Sequence, residues 1–265
     1  MEETAGALMN SAVVNALIIR TAGTNCDQET IHALTLAGAK CHLTHINQLI
    51  TGRIRLHPYQ ILVIPGGFSY GDDISAGKVL ANELRLRLKG QLQKFVEAKK
   101  LVIGICNGFQ VLVKAGLLPG FQSVEDEQTV TLSLNDSARF QCQWVGIKCE
   151  KSVASWLDSM PNTIDLPIAH GEGKFLTLSP KIMAEIKKGR QIVFRYAPKN
   201  PNGSQDDIAG ICNKHGNVIG LMPHPERFVS RYQHPAWAHS DKIGSEFGQG
   251  FLFWEKAVGY AKQHA

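Results

Sequence analysis

Apolar, β-branched runs alternate with amphipathic stretches from Val13 to Ala115. VVNALIIR (Val13 to Arg20), KCHLTHI (Lys40 to Ile46), QILVIPGG (Gln60 to Gly67) and KLVIGI (Lys100 to Ile105) predict strands. The near-continuous apolar ones suit a sheet covered on both faces. Asp27 to Ala37, Ala76 to Lys99 and Gly108 to Ala115 carry helix-forming residues at helical spacing. That order implies right-handed βαβ units and a parallel sheet, with any site at the carboxyl ends of its strands.

From Thr129 the pattern changes. TVTLSLNDSARFQCQWVGIKCE predicts a hairpin turning at Asn135, Asp136 and Ser137, an antiparallel addition at the sheet edge. Further strands are predicted at Gln191 to Tyr196, Ile208 to Asn213 and Asn217 to Met222. A last helix is predicted over Ser245 to Lys262, where Phe247, Phe251, Phe253, Trp254 and Val258 supply an apolar face. No internal repeat or low-complexity linker interrupts the chain. The expectation is an α/β fold in one domain over residues 1–265, with a core of about 13–228 and a C-terminal loop and helix at 229–265: a central, mostly parallel sheet flanked by helices, with an antiparallel edge extension.

Composition narrows the function classes. The 265 residues are 44% hydrophobic and 19% charged, ordinary for a soluble globular chain. No stretch approaches the roughly 20 apolar residues that span a bilayer, and MEETAGALMNSAVV lacks the basic start and apolar core of a secretory signal. A cytoplasmic location without membrane association is expected. The net charge of +5 is modest and its Lys and Arg are scattered, so nucleic acid is not an expected partner. The six cysteines form no CxxC pair, which suits a reducing compartment. Cys41, His42 and His45 would alternate across a strand rather than converge, so no metal site is expected.

Candidate chemistry begins at GICNG, Gly104 to Gly108, where a strand passes into a helix around Cys106. The pattern is that of a nucleophile elbow, whose tight turn requires small neighbours. The helix start offers free N–H groups and a positive dipole end, which favour thiolate. On these five residues alone, a packed thiol and a working nucleophile fit equally well. MPHPE shifts the balance: His224 and Glu226 follow a predicted strand, with Pro225 holding the segment non-helical. A cysteine nucleophile needs a base, and the base an orienting group; Cys106, His224 and Glu226 have the types for those roles. Asn107 N–H and the Pro65, Gly66, Gly67 turn are candidate oxyanion donors, although a PGG stretch is equally an ordinary tight turn.

The combination of IPGG, GICNGFQ and MPHPE resembles class I (triad) glutamine amidotransferases, a flavodoxin-like fold. RTAGTNCDQET, PGGFSYGDDISAG, AHGEGKF and FRYAPKNPNGSQDDIAGICN narrow the resemblance to the glutaminase subunits of phosphoribosylformylglycinamidine synthases, over about Ala16 to Phe228. The resemblance implies Cys106 as nucleophile, His224 as base and Glu226 as its orienter. It implies Gly67 and Asn107 as oxyanion donors, and Gln110, His170, Gly171 and Glu172 in binding L-glutamine. Lys174 stands where that family usually carries arginine, a departure that removes a bidentate fork. The segment after Phe228 is longer than expected of the short form of such subunits.

GDDISAGK, Gly71 to Lys78, has the wrong glycine spacing for a P-loop and is followed by Val79. No cofactor is therefore expected in this chain. The resemblance places ATP and Mg on a large synthetase subunit (PurL-like), with a small bridging subunit (PurS-like) as a further partner. Two alternatives stay open on sequence: a glutaminase serving another acceptor, and a non-catalytic regulatory homologue.

Overall fold

The computed structural model describes residues 13–120, 128–238 and 246–264. Its first half follows the hydrophobic pattern: β1 (Asn15–Arg20), α1 (Asp27–Leu36), β2 (Lys40–His45), α2 (Ile46–Ile50), β3 (Ile61–Ile64), α3 (Lys78–Arg87), α4 (Lys89–Glu97), β4 (Leu101–Ile105) and α5 (Asn107–Lys114). β1, β3 and β4 are apolar because both faces are covered; Leu17, Ile18, Leu62, Val63, Val102 and Ile103 are fully buried. The single helix expected from Ala76 to Lys99 is two. Leu88 leaves helical geometry (φ −122°, ψ 3°) and caps both α3 and α4.

The chain continues through β5 (Val130–Ser133), β6 (Gln141–Cys149), β7 (Thr163–His170), β8 (Lys174–Thr177), α6 (Pro180–Lys188), β9 (Ile192–Tyr196), β10 (Ile208–Cys212), β11 (Val218–Leu221) and α7 (Gln249–Gln263). Nine strands form one sheet in the order β2-β1-β3-β4-β11-β10-β9-β6-β7. The five from β2 to β11 run parallel, and β10, β9, β6 and β7 extend the sheet antiparallel. Helices flank it, with α1 beside α7 and α3 beside α5. Among the described residues no helix is long and apolar enough to cross a membrane.

The expected hairpin is not formed. β6 pairs with β7 and β9, whereas β5 pairs with β8 in a separate two-stranded sheet. The intended turn is drawn elsewhere: Asn135 N–H donates to Gly171 O (2.9 Å) and Asp136 N–H to Asn202 O (3.1 Å). A turn whose amides bond distant loops no longer folds its flanking strands onto each other. The predicted start of the last helix, Ser245, lies outside the described residues, and α7 begins at Gln249.

Candidate active site

Cys106 sits between β4 and α5 with φ 51° and ψ −105°, a left-handed backbone that costs about 1–3 kcal/mol for a non-glycine residue. Packing enforces it. A Cβ on Gly104 would lie 2.6 Å from Gly108 O, and one on Gly108 would lie 1.9 Å from Ile64 O. Small neighbours are thus a steric requirement of the elbow. Cys106 N–H donates to Leu221 O (2.8 Å), tying the elbow to the end of β11. Its Sγ lies 3.6 Å from Ala169 O at the end of β7.

His224 follows β11 and is held by its own N–H donating to Pro167 O (2.9 Å). Its Nδ1 meets Glu226 Oε1 at 2.6 Å, both residues being buried. Nδ1 donates to the carboxylate, so the lone pair of the neutral ring lies on Nε2, which has no other hydrogen-bond partner. Burial opposes a charged imidazole, but Glu226 and then Cys106 outweigh it and hold His224 well above its ordinary pKa. A Cβ on Gly66 would lie 2.9 Å from His224 Cε1 and 3.5 Å from Cys106 Cβ, so the strand ends of β3, β4 and β11 converge on one point. The site therefore holds a strained thiol, a carboxylate-oriented imidazole and, at Asn107, the first unbonded N–H of α5. That set is equipped for acyl transfer through sulfur.

The structure brings the other candidates nearby in unequal ways. Gly67 has φ 142°, and a Cβ there would lie 2.6 Å from Gly23 O, so the turn after β3 is pressed against the Thr21 to Cys26 loop. Gln110 is buried, donating from Nε2 to Glu172 O (2.6 Å) and accepting from Asn107 Nδ2 (3.0 Å). His170 is buried at the end of β7, its ring against Gly173, where a Cβ would lie 2.3 Å from Cε1. Burial, aided by the positive charge at His224, lowers its pKa to about 4. Lys174 forms an ion pair with Asp136.

Several side-chain contacts that the sequence does not announce organise this end of the sheet. Asn107 Oδ1 accepts from Ser69 N (3.1 Å) and Ser69 Oγ, while its Nδ2 donates to Asp72 Oδ1 (3.1 Å). The SYGDD stretch is thus the cradle of the residue after Cys106. Asn135 Nδ2 donates to His170 O (2.8 Å) and Arg139 O (2.9 Å), and its Oδ1 accepts from Gly173 N (3.2 Å). Ser204 Oγ accepts from Phe175 N (3.0 Å), so the NPNGS stretch braces the same loop. Cys26 Sγ lies 3.9 Å from His224 Nδ1 and accepts from Arg227 Nη2 (3.0 Å). Apart from the Asn135–Arg139 bond, four positions long, none of these contacts has a local sequence signal, because the partners are 29 to 201 positions apart.

Comparison with known proteins places this geometry. Residues 13–261 match the CobB/CobQ-like glutamine amidotransferase domain model. The chain is 44% identical to the phosphoribosylformylglycinamidine synthase subunit PurQ of Dehalococcoides mccartyi, covering 94% of this chain and 98% of that one. It is 39% identical to the subunit of the same name from Methanococcus maripaludis, covering 91% and 92%. Among solved structures it resembles a chain of PurLQS from Thermotoga maritima, with a TM-score of 0.72 and 32% identity over 94% of this chain and 99% of that one. The converging strand ends, the elbow and these likenesses agree: the chain belongs to the PurQ family of glutamine amidotransferases.

Proposed function

We propose that this chain is the glutaminase subunit of a phosphoribosylformylglycinamidine synthase, hydrolysing L-glutamine at Cys106 and handing ammonia to a synthetase subunit. The observation that carries the reading is the strained Cys106 beside a buried His224–Glu226 pair at 2.6 Å. In the proposed sequence His224 Nε2 takes the thiol proton, and the thiolate attacks the side-chain carboxamide carbon of glutamine. Glu226 keeps the ring oriented and stabilises its charged form, consistent with the raised pKa of His224. Negative charge developing on the amide oxygen is received by the N–H groups of Asn107 and Gly67. His224 then returns its proton to the departing nitrogen, ammonia leaves, and a water activated by the same ring hydrolyses the thioester to glutamate.

Gln110 and the His170, Gly171, Glu172 loop form the wall that receives glutamine. In this reading Gln110 acts partly by holding the Glu172 carbonyl in place. The ammonia acceptor is formylglycinamide ribonucleotide, converted to formylglycinamidine ribonucleotide in the ATP-dependent step of purine synthesis. ATP and Mg belong to a PurL-like synthetase subunit, with a PurS-like bridging subunit as a further partner; the reading draws support from the PurLQS likeness. No cofactor is assigned to this chain.

The test uses the chain with its synthetase. His224→Ala is expected to abolish glutamine-dependent synthesis, while added ammonia still supports the synthetase. A glutamine-analogue electrophile is expected to label Cys106 stoichiometrically. Labelling at another residue, or retention of glutamine-dependent synthesis in the variant, would overturn the assignment.

A further inference from the structure

The proposed reaction leaves one buried thiol at the site unused. Cys26, in the RTAGTNCDQET stretch before α1, is fully buried, and its Sγ lies within 4.8 Å of a ring nitrogen of His224 and a carboxylate oxygen of Glu226. Glu226 Oε2 is buried without a hydrogen-bond partner. A Cβ on Gly66 would lie 3.1 Å from Cys26 Sγ, so this thiol borders the same point as Cys106 and His224.

We propose that Cys26, His224 Nδ1 and Glu226 form an inhibitory site for a thiophilic divalent cation of the Zn²⁺ class. One thiolate, one imidazole and one carboxylate are a donor set that suits Zn²⁺, with water as a fourth ligand. The charges match as well. In the bound state, with the His224 ring neutral, Cys26 thiolate, Glu226 and Glu29 contribute three negative charges against the single positive charge of Arg227, which lies 3.6 Å from Glu29. A divalent cation brings that group to neutrality. Arg227 Nη2 keeps its bond to Sγ as a donor to the metal-bound thiolate. The contact between Nδ1 and Oε1 opens by about 0.7 Å to reach tetrahedral ligand spacing, or the carboxylate turns to present Oε2.

Binding releases the Cys26 thiol proton to solvent and, from the charged ring, the Nδ1 proton of His224 as well. The metal takes the Nδ1 lone pair, so the one proton of the neutral ring sits on Nε2. Nε2 then has no lone pair for the Cys106 proton, and the base is silenced without any change at Cys106 itself. The inhibitory consequence rests on the proposed role of His224; the binding site does not.

The experiment measures Zn²⁺ inhibition of glutamine-dependent synthesis by the chain with its synthetase, with each variant normalised to its own uninhibited rate. Cys26→Ser is expected to raise the free Zn²⁺ concentration for half-inhibition about tenfold or more, while ammonia-dependent synthesis resists Zn²⁺ in both proteins. Direct binding is read from the ultraviolet thiolate-to-cadmium band of the full chain. Cys106→Ser should keep that band and the Cys26→Ser/Cys106→Ser double variant should lose it. Equal Zn²⁺ sensitivity in Cys26→Ser, equal inhibition with ammonia, or an unchanged band in the double variant would overturn the proposal. A wild-type chain that binds cadmium through Cys26 yet hydrolyses no glutamine would instead refute the proposed function.

Discussion

Cys106 and His170 show how single residues here are set by what packs against them. GICNG already carried the elbow, because a left-handed residue flanked by glycines is a steric statement that sequence can make. The environment of His170 carries no such mark. AHGEG reads as a glycine-bounded loop, and only burial beside His224 lowers the imidazole to about 4. That shift has a signed consequence for stability. The unfolded ring titrates near 6.5, so between pH 6.5 and 4 the unfolded chain holds more protons than the native one. Stability is therefore full above pH 6.5 and falls as the pH drops towards 4, by up to about 3 kcal/mol for this residue. His224 contributes in the opposite sense, since its raised pKa favours the native state at low pH. Denaturant titrations at a series of pH values should show a shallower decline over that window in His170→Gln than in the wild type. Equal slopes would mean that His170 is not held neutral in the native protein.

Among the elements, the strands of the parallel half were legible throughout, whereas in the antiparallel half β6, β9 and β10 were legible and β7 and β8 were not, for physical reasons that differ by strand. β1, β3 and β4 are buried on both faces, so their apolar runs announce them. β7 contains Pro167, which interrupts a strand pattern; the structure tolerates it because β7 is the edge of the sheet. β5 was visible, but its partner was not. Its pairing with β8 depends on Asn135, whose amide joins three backbone groups of two loops. Asn135→Ala should remove the buried bonds to His170 O and Gly173 N–H, at a cost of about 1–3 kcal/mol. With the His170 to Gly173 loop released, the KM for glutamine is expected to rise about tenfold, an energy of about 1.4 kcal/mol. Ammonia-dependent synthesis should stay unchanged. A variant that loses stability with an unaltered KM would show that Asn135 supports the fold and leaves the glutamine wall untouched.

Across the whole molecule, the proposed catalytic set is assembled from strand ends adjacent in the sheet, β3, β4 and β11, and backed by the far end of the chain. The two described ends of the segment after Phe228, which sequence left without a role, lie side by side: Gly248 N–H donates to Val229 O (2.9 Å), and Ser230 bridges to Phe247. α7 then starts against the loop that carries His224 and Glu226. A Cβ on Gly250 would lie 2.2 Å from Pro225 O, and one on Gly248 would lie 2.4 Å from Phe228 O. The helix is anchored by Phe253, Trp254 and Val258, all buried, so it cannot yield freely. Any side chain at Gly250 must therefore displace the backbone between the proposed base and its orienter. A shift near 1 Å at a reacting group costs about a hundredfold in rate. Gly250→Ala should accordingly lower glutamine-dependent kcat by about that factor and slow alkylation of Cys106 by a small thiol reagent, since the thiolate depends on His224, with ammonia-dependent synthesis intact. If kcat survives while stability drops, α7 serves the fold alone, and the His224 loop holds its geometry without support from the C-terminal helix.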